Sequence, residues 1–162
     1  MSPGEFSSTL SNWLCGATRV VILGVGNTLR RDDGLGPEFV KRLMGLSGKV
    51  MILDCGSVPE SYVGPIRRFK PSHILIVDAA DMGLPPGTFK LVYNLKTPDV
   101  FISTHSLPLN FFTEYLESQT STKIALLMIQ PKDITLGESL SPEVEDTVNT
   151  ISRIVRDRLK EV

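Results

Sequence analysis

Val20-Val21-Ile22-Leu23-Gly24-Val25-Gly26-Asn27-Thr28-Leu29-Arg30-Arg31-Asp32-Asp33-Gly34-Leu35-Gly36 reads as a buried strand, a glycine-hinged loop and the start of a helix. Four consecutive large apolar residues suit a strand covered on both faces, as in a parallel sheet packed between helices. The loop begins like a dinucleotide-binding fingerprint and then departs from it. The third glycine would fall at Leu29, and the helix starts only after Gly34 or Gly36, too late for a pyrophosphate to sit on its N-terminus. No nucleotide cofactor is expected. The glycines instead let the loop turn sharply over the strand end and carry acidic side chains back to it.

Working outward, Val50-Met51-Ile52-Leu53, Ile74-Leu75-Ile76-Val77 and Ile124-Ala125-Leu126-Leu127-Met128-Ile129 repeat the strand pattern, and Thr88 to Val92 reads as a more polar fifth strand at the sheet edge. Helix-period stretches lie between them. Leu35 to Leu46 places Phe39, Val40, Leu43 and Met44 on one side; Tyr62, Val63, Ile66 and Phe69 form a second stretch, and Leu109 to Leu116 a third. Ser141-Pro142 opens a long C-terminal helix in which Val144, Val148, Ile151, Val155 and Leu159 recur at steps of three or four. At the other end, Ser2-Pro3-Gly4-Glu5 carries the elements of a capping box ahead of Phe6, Leu10 and Trp13.

Alternating strands and helices predict an α/β protein: a three-layer α/β/α sandwich around a mostly parallel, twisted five-stranded sheet with right-handed crossovers. No linker divides the chain, so residues 1–162 are expected to form one domain, in which 1–18 are an N-terminal helical extension and 19–162 the core. Sites in this architecture form beyond the carboxyl ends of the strands.

Composition narrows the function. The 17 basic and 18 acidic side chains nearly cancel, and no Lys or Arg run exceeds Arg30-Arg31 and Arg67-Arg68, so no nucleic-acid footprint is expected. The two cysteines, Cys15 and Cys55, make neither a C-x-x-C pair nor a disulfide scaffold. The apolar runs fall well short of the ~20 residues of a membrane-spanning helix, and the N-terminus lacks a basic segment followed by an apolar stretch. The expectation is a cytoplasmic protein without membrane insertion.

Three side chains are candidates for chemistry. Adjacent aspartates point in different directions, so at most one of Asp32 and Asp33 is expected to enter a given pocket, against the plainer reading of both as ordinary turn chemistry. Asp78 follows the buried run Ile74 to Val77 and should reach the same end of the sheet. Of the two histidines, His73 opens a strand, where a surface or capping role is expected, whereas His105 lies in a polar loop that leads back toward the strand ends. Two carboxylates and one imidazole suit Zn, Ni, Fe or Mn better than Ca or Mg. Neither cysteine has the neighbourhood of a nucleophile. There is no Gly-x-Ser-x-Gly elbow and no His-Glu-x-x-His helix.

Gly24 to Gly36, Val77-Asp78-Ala79-Ala80-Asp81-Met82-Gly83, Pro86-Gly87-Thr88, Thr104-His105-Ser106-Leu107-Pro108-Leu109 and Gln130-Pro131 occur in the order seen in the [NiFe]-hydrogenase maturation proteases. The chain resembles that family, and most of all the branch that processes the formate-hydrogenlyase hydrogenase. The resemblance implies an endopeptidase that removes the C-terminal extension of the nickel-loaded large-subunit precursor. It assigns Asp33, Asp78 and His105 to contacts with nickel supplied by the precursor, and to catalysis. The rival reading is a receiver-like phosphoacceptor or other small-ligand-binding α/β module, using Asp32 or Asp33, Asp78, Thr104 and Lys132. It fits less well, because Asp33 comes seven residues after Gly26 and His105 would have no role.

Overall fold

The computed structural model describes residues 1–46, 48–93 and 121–162; the helix expected over Leu109 to Leu116, and His105, lie outside them. Strands β1 (Val20–Gly24), β2 (Val50–Asp54), β3 (His73–Ala79), β4 (Phe89–Val92) and β5 (Lys123–Ile129) form one sheet in the order β2-β1-β3-β5-β4. β1 pairs in parallel with β2 and β3, and β3 in parallel with β5. The polar fifth strand of the sequence is β4, antiparallel to β5 at the edge.

Side-chain alternation divides the strands between two cores. Val20, Ile22, Leu75, Val77, Ala125 and Leu127 pack with α1 (Pro3–Trp13), α2 (Leu35–Lys41) and α4 (Pro142–Leu159). Val21, Leu23, Ile74, Ile76, Ile124 and Leu126 form the second core with Ile66 of α3 (Val63–Phe69). Continuous apolar runs are required because both faces are covered, and the result is the expected three-layer sandwich. Helix α2 is shorter than its apolar pattern, ending at Lys41. Leu43 still reaches the core from the following turn, but Met44 is 51% exposed rather than on the apolar side.

The capping box forms at α1: the Ser2 hydroxyl accepts the Glu5 N–H at 3.1 Å, and the Ser2 N–H donates to the Glu5 carboxylate at 2.7 Å. Phe6, Leu10 and Trp13 are all buried in the first core, and Phe6 meets Phe89 edge to face at 5.7 Å. At ~1.5–3 kcal/mol for each large apolar side chain taken from water, this helix contributes substantially to stability.

His73 differs from its expected surface role. It is buried at the amino end of β3, where its Nε2 donates to the Trp13 carbonyl at 2.9 Å and its Nδ1 lies 2.9 Å from the Ser72 hydroxyl. The Trp13 ring stands edge-on at 4.9 Å. Its partner lies 60 residues away in sequence, so local pattern could not reveal the contact. Burial pushes the imidazole below its ordinary value of 6.5, with the Trp13 hydrogen bond opposing the shift and Lys123 adding to it. As pH falls through ~6.5, the unfolded chain takes up the proton first, so this contribution to stability declines until the folded-state value is passed. The melting temperature should therefore fall more steeply between pH 7 and the folded-state value in the wild type than in His73→Gln. Parallel curves for the two proteins would show that His73 is not titrating against burial.

Candidate functional site

The site grows from the end of β1. A Cβ at Gly24 would overlap the Gly36 carbonyl oxygen, and one at Gly36 would overlap the Val25 carbonyl oxygen and stand 2.6 Å from that of Val77. The missing side chains thus let the first turn of α2 press onto the ends of β1 and β3. Val25 N–H donates to Val77 O at 2.9 Å and Gly26 N–H to Gly56 O at 2.8 Å, knitting the glycine loop to its neighbours on both sides.

Beyond the loop, Arg31–Gly34 forms a 3-10 turn packed against β3, and α2 starts at Leu35. The two aspartates of this turn are both buried and have separate surroundings. The Asp33 carboxylate accepts the Asn27 N–H at 3.2 Å, inside the glycine loop. The Asp32 carboxylate faces the opposite way, toward residues 132–141, where it accepts hydrogen bonds from Lys132, Asp133 and Ser141. The divergence expected of adjacent aspartates is present, but Asp32 is more than turn chemistry. The donors that engage it lie about a hundred residues further along the chain, which hid its role from sequence reading.

Asp78 is fully buried near the carboxyl end of β3, in register with Met128. Following Ile74 and Ile76 in alternation, it belongs to the face carrying the second core. The Val25–Val77 hydrogen bond and the packing of the 3-10 turn on β3 bring the segments bearing Asp33 and Asp78 to the same edge of the sheet. Among the described residues, no three His, Cys, Asp or Glu side chains cluster as a metal site. His105, the third candidate, lies outside these residues.

Gln130 braces the loop after Asp78, a contact the sequence reading left unassigned although Gln130-Pro131 was one of the recognisable motifs. Its Oε1 accepts the N–H groups of Met82 at 2.6 Å and Leu84 at 3.4 Å, and its Nε2 donates to the Asp81 carboxylate and to Pro131 O, both at 3.2 Å. One buried amide thereby shapes the loop that follows Asp78. Cys55 is buried, and burial, reinforced by Asp54 and Glu60, pushes its thiol up to about 12, as befits a structural rather than nucleophilic cysteine.

The receiver-like alternative is not assembled among the described residues. Both Asp32 oxygens are engaged by the protein's own N–H and O–H donors, and the Lys132 ammonium pairs with Glu143 at 2.8 Å on the surface. Helix α2 begins at Leu35, after the acidic turn. No helix among the described residues is long and apolar enough to cross a membrane.

Comparison with known proteins agrees with this architecture. The HycI hydrogenase maturation protease family model matches residues 37–158. The Hydrogenase 3 maturation protease of Escherichia coli is 33% identical over 133 residues, which is 81% of this chain and 85% of that protein. The [NiFe] hydrogenase maturation protease HycI of Thermococcus kodakarensis superposes with a TM-score of 0.85 at 37% identity, covering 94% of this chain and 99% of its own. The solution structure of the endopeptidase HycI from Escherichia coli gives 0.75 at 30% identity, covering 86% of this chain and 90% of its own. The family model covers most of the chain and these relatives are at least 30% identical over most of both lengths, so the chain belongs to the hydrogenase maturation protease family, as an endopeptidase.

Proposed function

We propose that this endopeptidase cuts the C-terminal extension from a [NiFe]-hydrogenase large-subunit precursor after nickel has been inserted, and that it does so in the cytoplasm. The observation that carries this reading is the delivery of two buried carboxylates, Asp33 and Asp78, from different segments to one carboxyl edge of the sheet. Burying a carboxylate costs several kcal/mol unless a hydrogen bond, cation or metal compensates it. Two of them at one edge, with an imidazole from His105, make a donor set suited to a first-row transition metal.

In this reading nickel arrives with the substrate. Asp33, Asp78 and His105 contact it and so place the scissile bond against the protease. Recognition then reports directly whether the metal has been loaded. Nickel held there would supply polarisation of a carbonyl or water, worth several kcal/mol of transition-state stabilisation, and an aspartate freed for proton transfer would serve as general base in its place. The protein's own part is orientation: the Asn27 N–H fixes Asp33, and Gln130 shapes the loop after Asp78.

The test is incubation with nickel-loaded and nickel-free precursor. A size shift is expected only with nickel, and Asp33→Asn should abolish it. Equal cleavage of the nickel-free precursor would sink the proposal.

A further inference from the structure

We infer that Asp32 is a positioning residue for the cleavage reaction: by anchoring residues 132–141 against the 3-10 turn, it fixes the direction in which Asp33 points. The kinetic part of this inference rests on the substrate proposed above. Asp32 is fully buried, and the donors to its carboxylate come from one remote segment. Its Oδ1 accepts the Ser141 N–H at 2.7 Å. Its Oδ2 accepts the N–H groups of Lys132 at 2.9 Å and Asp133 at 3.0 Å, and the Ser141 hydroxyl at 2.7 Å. The Asp32 N–H in turn donates to Asp133 O at 3.0 Å. Hydrogen bonds to a carboxylate are the strong kind, and both oxygens are used.

Two features connect this clamp to Asp33. Ser141 is the N-cap residue of α4, yet its hydroxyl makes no cap hydrogen bond to the helix and goes to Asp32 instead. Asp32 therefore sits at the positive end of an 18-residue helix, where a negative charge is favoured. On the other side, Arg31 is held at φ 44°, a left-handed conformation uncommon for a residue with a side chain. It is pinned by its N–H donating to Gly137 O at 3.0 Å, while the Asp33 N–H donates to Arg30 O at 3.0 Å. The turn is thus gripped on both sides of the one residue that separates Arg31 from Asp33.

Within the anchored segment only Leu140, next to Ser141, packs against a core. Residues 131–139 contribute no side chain to either hydrophobic cluster, and Leu136 is 81% exposed. What the segment does contribute is a rigid abutment. With it released, the strained Arg31 can relax, and the neighbouring Asp33 turns with it, away from the Asn27 N–H.

The experiment compares Asp32→Asn, Ser141→Ala, Ser141→Thr and, as a remote core control, Phe6→Leu, each folded by near-ultraviolet circular dichroism at the assay temperature. With nickel-loaded precursor, Asp32→Asn should lower kcat by about thirtyfold or more while KM stays within about threefold, the signature of a lost transition-state alignment. Ser141→Ala should show a smaller loss in the same direction, Ser141→Thr should retain activity because it keeps the hydroxyl, and Phe6→Leu should keep its kcat. In the proteins alone, amide hydrogen exchange at Asn27 should quicken in Asp32→Asn and not in Phe6→Leu. A wild-type kcat and unchanged Asn27 exchange in Asp32→Asn, despite a lower melting temperature, would overturn the inference and leave Asp32 a stabilising clamp. An equal loss in Phe6→Leu would overturn it too, because activity would then follow stability alone. Should Asp32→Asn fail to fold, Ser141→Ala decides by the same two readouts. If the wild type does not cut the nickel-loaded precursor, the substrate reading fails, and Asn27 exchange still decides the role of Asp32.

Discussion

Asp78→Asn should yield a folded protein that no longer processes the precursor, with the rate per folded molecule reduced at least ~100-fold, about 2.7 kcal/mol of transition-state stabilisation. The argument starts from the strand. β3 pairs with β1 on one side and β5 on the other, and its backbone register through Asp78 and Ala79 with Met128 and Ile129 needs nothing from the Asp78 side chain. Ile74 to Val77 already supply the apolar burial on both faces. An aspartate that ends this run adds no packing an asparagine would not. The amide keeps the shape and removes the charge. If the charge is there for the metal, folding survives, and the melting temperature should shift by no more than the ~2–4 °C that accompanies 1 kcal/mol in a domain of this size. If the charge is structural, its lost hydrogen bonds should cost ~1.5–3 kcal/mol and the folded fraction should still cut. Melting and cleavage measured on one preparation separate the two. A variant that melts much lower yet cuts at the wild-type rate would remove Asp78 from the site.

The fold was legible because the constraint that shapes it is local and repeated. A strand covered on both faces must be apolar throughout, and Val20 to Leu23, Ile74 to Val77 and Ile124 to Ile129 satisfy that with no reference to one another. The long α4 was equally plain, since all five of its predicted core positions are buried. Boundaries were less so. Met44 continues the apolar period of α2 but falls in the turn beyond its end, because a turn can still send one side chain, Leu43, inward.

The candidate site was legible in part. The adjacency of Asp32 and Asp33 forces them apart, and that much is intrinsic to the chain. Which partners a buried polar group finds is decided far along the chain: Asp32 meets Lys132, Asp133 and Ser141 about a hundred residues on, and His73 meets Trp13 of the N-terminal helix, 60 residues back. Both were read as bland surface or turn residues because buried polar groups declare themselves only through their partners. Gln130 shows the same limit, since three of its contacts, to Asp81, Met82 and Leu84, are to a loop that begins some fifty residues earlier.

Gly26→Ala should be among the most damaging single-methyl changes in the molecule, with loss of both stability and processing. Two independent costs meet there. Gly26 has φ 148°, a conformation that side-chain-bearing residues rarely adopt, and an added Cβ would overlap the Asp33 carbonyl oxygen. That neighbour is backbone, not the tip of a flexible side chain, so it yields only if the 3-10 turn moves. The turn is fastened by the Asp33 N–H to Arg30 O at 3.0 Å and by the Asp32 clamp, while Gly26 itself is fastened through its N–H to Gly56 O at 2.8 Å. Overpacking at ~1–3 kcal/mol and backbone strain at ~1–3 kcal/mol together approach the lower end of the ~5–15 kcal/mol that holds a domain folded. Gly16→Ala supplies the control, because Gly16 also has positive φ, 79°, but nothing within 4 Å of where a Cβ would stand. It should show the strain alone, about 1 kcal/mol, with cleavage unchanged. Urea unfolding of the two variants beside the wild type, with processing of nickel-loaded precursor at a concentration of urea where all are native, tests the account. If Gly26→Ala unfolds at the same midpoint as Gly16→Ala and still cuts, the turn carrying Asp33 can shift without consequence, and the close approach of the glycine loop to that turn does not set the geometry of the site.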